Sequence, residues 1–121
     1  MIIIQDLTFG GSYRDENIIM DAMLLSPAEH GYAEDVLLFE ICITIISMDK
    51  PHISEFVFYI MDERTKDIYN ATDVAELSTD GLWTMRVLVA YTFRTEYLYH
   101  DIQLGFRYEP YNCVEFVEIG H

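Results

Sequence analysis

The chain has 121 residues, 51% of them apolar, and carries 21 acids against 7 Lys and Arg for a formal charge of -14. That apolar content excludes a disordered chain, and surface scaling gives about 6,800 Å² folded against roughly 20,600 Å² unfolded, enough burial for one core in a single domain spanning 1–121. A negative field of this size opposes direct binding to nucleic-acid phosphates or to an anionic membrane and favours a basic partner.

In chain order, "MIIIQDLTFGG" has three isoleucines but no preceding cation and an early Asp6, which reads as neither a signal peptide nor a membrane span. The expectation is a soluble, cytoplasmic protein with Cys42 and Cys113 as reduced thiols, although a sandwich could bring the two together. "ENIIMDAMLLS" reads as a strand, its Met and Ala leaving a helix open. "DVLLFEICITIISM" is a continuous apolar run, and its β-branched Ile41, Ile43, Thr44, Ile45 and Ile46 predict a central strand buried on both faces. "EFVFYIM" is a further strand by its aromatic and β-branched content.

"DERTKD", from Asp62 to Asp67, separates two strand-like runs with charges of both signs, which predicts a solvated hairpin turn. A calcium loop is the sharper alternative, with Asp62, Glu63, Asp67 and Asp73 as oxygen ligands, but Arg64 and Lys66 sit inside that cage and oppose a divalent ion. Asn70-Ala71-Thr72 matches a glycosylation acceptor, expected to be accidental. The stretch "ISEFVFYIMDERTKDIYNATD" resembles the middle hairpin of the carbohydrate-binding sandwich appended to O-antigen export ATPases. The resemblance covers about one-sixth of the chain, lacks the glycine usual in that turn, and transfers no functional residue.

Thr79 to Gly81 supplies turn chemistry, and "LWTMRVLVAYTF" then alternates over residues 82–93. Trp83, Met85, Val87, Val89, Tyr91 and Phe93 share the parity expected to be buried. "IQLGFRY" repeats the alternation over 102–108, burying Leu104, Phe106 and Tyr108, before an "EPYN" turn and a last strand "CVEFVEI". The sum is an all-β chain, an antiparallel β-sandwich (Ig-like or jelly-roll-like) of seven or eight strands with room for one short helix.

Chemistry is sparse. Of His30, His52, His100 and His121, His100 has the adjacent acid Asp101, and neighbours in a strand point to opposite faces. Nucleophile elbow, phosphate-cradling glycine loop and zinc-protease or C-x-x-C motifs are missing, so no catalytic residue, metal or cofactor is assigned and the chain is read as non-enzymatic.

Between Arg14 and Lys50 lie eight acids and no cation. The expected contact surface is Asp15, Glu16, Asp21, Glu29, Glu34 and Asp35 with Tyr32; Tyr97 and Tyr99 are further contacts, tyrosine being enriched at interfaces, with a place in the core as the alternative. The function expected is inhibition of a basic nuclease or nucleic-acid-binding protein, of immunity-protein or phage anti-defence type, presenting carboxylates where phosphates would sit. The alternatives are a carbohydrate-binding module with Trp83, Tyr97 or Tyr99 as stacking platforms, and a self-associating virion or phage subunit, with a homodimer also open.

Overall fold

The computed structural model describes residues 2–4, 10–14, 16–46, 52–62, 65–92 and 102–108. Among these, nine strands form two antiparallel sheets. β1 (Ile2–Ile4), β9 (Ile102–Tyr108), β5 (Phe56–Asp62) and β6 (Ile68–Asn70) lie in that order in a four-stranded sheet. β2 (Gly10–Arg14), β3 (Ile18–Leu25), β4 (Val36–Ile45), β8 (Thr84–Thr92) and β7 (Asp73–Thr79) make a five-stranded one. β1 and β6 have three residues each, so seven longer strands carry the fold, as the alternation predicts. The "ENIIMDAMLLS" segment is a strand, and the helical content described is two three-residue 3-10 turns, Ala28–His30 and Ile53–Glu55. No helix among the described residues is long and apolar enough to cross a membrane.

The exposed surface of 6663 Å² agrees with the scaling estimate for a compact chain. One core lies between the sheets, built from alternate residues of each strand. Ile18, Met20 and Ala22 come from β3, Leu37 to Ile45 at odd positions from β4, Phe56, Phe58 and Ile60 from β5, Met85 to Tyr91 at odd positions from β8, and Leu104, Phe106 and Tyr108 from β9. The parity expected from "LWTMRVLVAYTF" and "IQLGFRY" is the burial found from Met85 to Tyr91 and from Leu104 to Tyr108, while Phe93 lies outside the described residues. Phe56 stacks on Tyr108 at 4.4 Å between ring centres, and Phe39 meets Tyr91 edge-on at 6.2 Å.

Tyr91 joins the sheets by more than contact. Its hydroxyl donates to the carbonyl of Tyr59 at 3.0 Å, from β8 across the core to β5. Burial holds that phenol's pKa well above its ordinary value. Above about pH 10 an unfolded tyrosine gives up its proton while Tyr91 in the fold keeps it. Its contribution to stability is therefore complete below about pH 10 and falls as pH rises from there toward the folded-state value. Tyr91→Phe is expected to cost about 0.5–1.5 kcal/mol at neutral pH through the lost bond, yet to flatten the alkaline limb of a stability-against-pH curve followed by urea unfolding. An unchanged alkaline slope would contradict this.

Two expectations are corrected. Trp83 is 45% exposed, not buried, because the strand begins at Thr84 and the parity row runs out past the end of the sandwich. β4 is central, between β3 and β8, but is buried on both faces only from Val36 to Phe39; beyond that Glu40, Cys42 and Thr44 are half-buried on an open outer face. The strand β7 was not foreseen at all. It is an edge strand, exposed from Asp73 to Leu77, with a bulge between Glu76 and Ser78.

The charged centre "DERTKD" is a hairpin turn between β5 and β6. The Asp62 N–H donates to the Asp67 carbonyl at 3.0 Å, and the Asp62 carbonyl accepts from the Lys66 N–H at 2.7 Å. Lys66 adopts φ 63, the left-handed conformation that glycine takes without steric cost. A lysine thus stands where such a turn ordinarily has glycine. Asp73, one of the four proposed calcium ligands, belongs to the other sheet, and Glu63 lies outside the described residues.

Candidate functional site

Facing away from the core, the five-stranded sheet presents a surface whose rows follow from its register. Asp21, Cys42, Arg86 and Ser78 form one row; Met23, Glu40, Leu88 and Ala75 the next; Leu25, Leu38, Ala90 and Asp73 a third. The third row is covered. The β3–β4 loop, residues 26–35, turns through Pro27 to Gly31 and brings Tyr32 down on the sheet, where Val36, Leu38 and Ala90 form a small second core with Leu25, Tyr32 and Leu88. His30 and Tyr32 both donate backbone N–H groups to the Pro27 carbonyl, and Gly31 takes φ 80. The Tyr32 hydroxyl then donates to Asp73 Oδ2 at 2.6 Å, tying the loop to the edge strand β7. That bond to a carboxylate, more than burial, raises the Tyr32 pKa.

This anchoring places three of the expected contact acids, Glu29, Glu34 and Asp35, exposed on one loop. Asp21 is exposed on the adjoining sheet surface, whereas Glu16 sits at the far end, before β3. Tyr32, expected as a contact, is half-buried and holds the loop. Asp15, Tyr97 and Tyr99 lie outside the described residues, as do His100, Cys113, the "EPYN" turn and the last expected strand.

At the centre of the open surface is a depression of about 350 Å³ lined by Asp21, Ala22, Met23, Glu40, Cys42 and Arg86. Arg86 donates to Glu40 through both Nε, at 2.7 Å, and a terminal nitrogen, so its charge is committed to that carboxylate. Cys42 is a free thiol. Burial, then the carboxylates of Asp21 and Asp80, push its pKa up against the opposing pull of Arg86. It is accordingly a protonated and poor nucleophile at neutral pH. His30 is on the loop and His52 at the turn before β5, so neither belongs to the rows around Cys42. No group of three or more potential metal ligands occurs among the described residues.

Sequence reasoning missed Glu40, Asp73, Asp80 and Arg86 as members of this surface. Glu40 and Arg86 were legible as outward positions of alternating strands, but their meeting depends on the pairing of β4 with β8, which no local pattern encodes.

No family model, curated protein or solved structure matches the chain.

Proposed function

We propose that this chain is a non-enzymatic binding protein that occupies the basic surface of a macromolecular partner, in the manner of a nuclease-neutralising or anti-defence inhibitor. The observation that carries the reading is the acidic loop. Glu29, Glu34 and Asp35 are exposed together on a segment held by a small apolar core and by Tyr32 on Asp73, beside Asp21. Two cations lie on this face among the described residues, Arg86, engaged by Glu40, and Arg14 on the edge strand β2. A pre-ordered set of carboxylates on a chain of charge -14 steers a phosphate-binding surface toward itself and loses little entropy on contact.

The test is the triple variant of Glu29→Gln, Glu34→Gln and Asp35→Asn, measured by stopped-flow against the partner recovered by low-salt affinity capture. Association is expected to slow on the order of tenfold or more at low salt and less at high salt, because screening already weakens the steering field there. Folding should be unharmed, since like charges are removed. Unaltered association at low ionic strength would assign this acidity to solubility alone.

The exposure of Trp83 favours a second reading, a sugar-stacking platform. Salt-insensitive glycan binding would distinguish it from charge-driven capture.

A further inference from the structure

Among the described residues, β6 is the last strand of the four-stranded sheet and β7 the last of the five-stranded one, and the two follow one another in the chain. Ala71 and Thr72 join them, the Ala71 N–H donating to the Phe58 carbonyl in one sheet at 3.2 Å and the Thr72 N–H to the Ala90 carbonyl in the other at 2.7 Å. Residues 68–79 therefore run as one extended ribbon along a single side of the sandwich. Among the described residues β7 pairs with β8 alone, and Asp73 to Leu77 are exposed without a break. In an edge strand every second residue turns its N–H and C=O away from its one neighbour, which leaves them to water or to another strand. The bulge between Glu76 and Ser78 interrupts the ladder, so the regular run on offer is 73–76.

We infer that this run receives a further strand: an extended basic segment of a protein partner, added to the five-stranded sheet along β7. The inference deepens the proposed function and rests on it. Register gives the fit. Val74 and Glu76 pair with the core residues Val89 and Val87 and so share the core-side face, while Asp73 and Ala75, opposite Ala90 and Leu88, share the outer one. An added strand sets one row of its side chains beside Val74 and Glu76 and the other beside Asp73 and Ala75, a carboxylate in each row. Between Lys66 and Arg86 the sequence has the acids Asp67, Asp73, Glu76 and Asp80 and no cation. The Tyr32 hydroxyl on Asp73 also sets the loop of Glu29, Glu34 and Asp35 next to this strand. A second copy of the chain fits poorly, because pairing the run with itself brings Asp73 and Glu76 close to their own counterparts between molecules of charge -14. The charges that keep two copies apart are those that admit a basic strand.

The probe is a dye-labelled octapeptide of alternating arginine and valine, titrated at low salt with binding followed by anisotropy and β7 by amide hydrogen exchange. In the complex, alternate amides of β7 are expected to exchange more slowly by about tenfold or more, with amides elsewhere in the sheet little changed. Because the added strand pairs through one of its own edges, N-methylation of one alternate set of peptide residues should weaken binding by about tenfold or more while the other set is tolerated. Binding with unchanged exchange in β7 and with both methylated sets tolerated would overturn the added strand and leave charge-driven capture standing. No binding by the peptide would overturn the edge, and the triple variant of the acidic loop then decides the proposed function on its own. Protection of β7 that appears without peptide and grows with protein concentration would hand the edge to a second copy.

Discussion

Phe39→Ala is expected to lower the unfolding free energy by about 3–5 kcal/mol. Phe39 lies fully buried on the inward side of β4, the strand with partners on both sides, and meets the ring of Tyr91 nearly at right angles. Removing the ring opens a cavity between two sheets whose spacing is maintained by many other side chains, so little collapse can refill it. It also takes away the edge contact that orients Tyr91, whose hydroxyl bonds Tyr59 in the opposite sheet. A domain of this size has a total stability of about 5–15 kcal/mol, so the variant sits near its unfolding limit at body temperature. Urea unfolding checks the value: a midpoint that falls steeply with an unchanged slope supports it. A loss under about 1 kcal/mol would mean that Phe39 is not packed as described.

Leu38→Ala comes next in magnitude, at about 2–5 kcal/mol. Its neighbour in sequence faces the main core, whereas Leu38 points the other way and is nevertheless fully buried, because the β3–β4 loop covers it. This substitution therefore acts on the loop that carries Glu29, Glu34 and Asp35. Without Leu38, Tyr32 loses the surface on which it rests, and the Tyr32–Asp73 bond must hold the loop alone at an exposed site. Faster amide exchange at His30 and Tyr32, the two donors to Pro27, should accompany the loss of stability, and the Tyr32 hydroxyl should titrate closer to its ordinary value. Uniform destabilisation without a local gain in exchange at the loop would separate Leu38 from loop ordering.

Much of the sandwich was legible wherever a strand has one wet face. β8 and β9 alternate because odd and even residues meet different surroundings, and the same alternation appears within β4 from Glu40 onward once its apolar run is divided. The burial of β4 on both faces stops at Phe39 because the cover there is a loop and not a sheet, a boundary written in long-range contact. β7 left no pattern, since an edge strand exposed on both sides has no periodicity to show. Trp83 misled because parity describes direction while exposure depends on where the partner layer ends. The acidic loop was visible as composition, but what orders it, Tyr32 on Asp73, joins residues 41 positions apart.

The pairing of β1 with β9 sets Ile2 opposite Leu104, Ile3 opposite Gln103 and Ile4 opposite Ile102. On the ribosome these three isoleucines emerge about a hundred residues before the strand that receives them, a wait on the order of 5–20 s at ordinary rates of synthesis. β2, β3 and β4 meet far sooner, as consecutive antiparallel neighbours. The five-stranded sheet can thus start as a meander while the four-stranded sheet is still missing its second strand. For that interval a short, β-branched, uncharged segment is left unpaired, open to chaperones and to the same segment of neighbouring nascent chains. The high negative charge of the rest of the chain then matters before any partner is met, by keeping those growing chains apart.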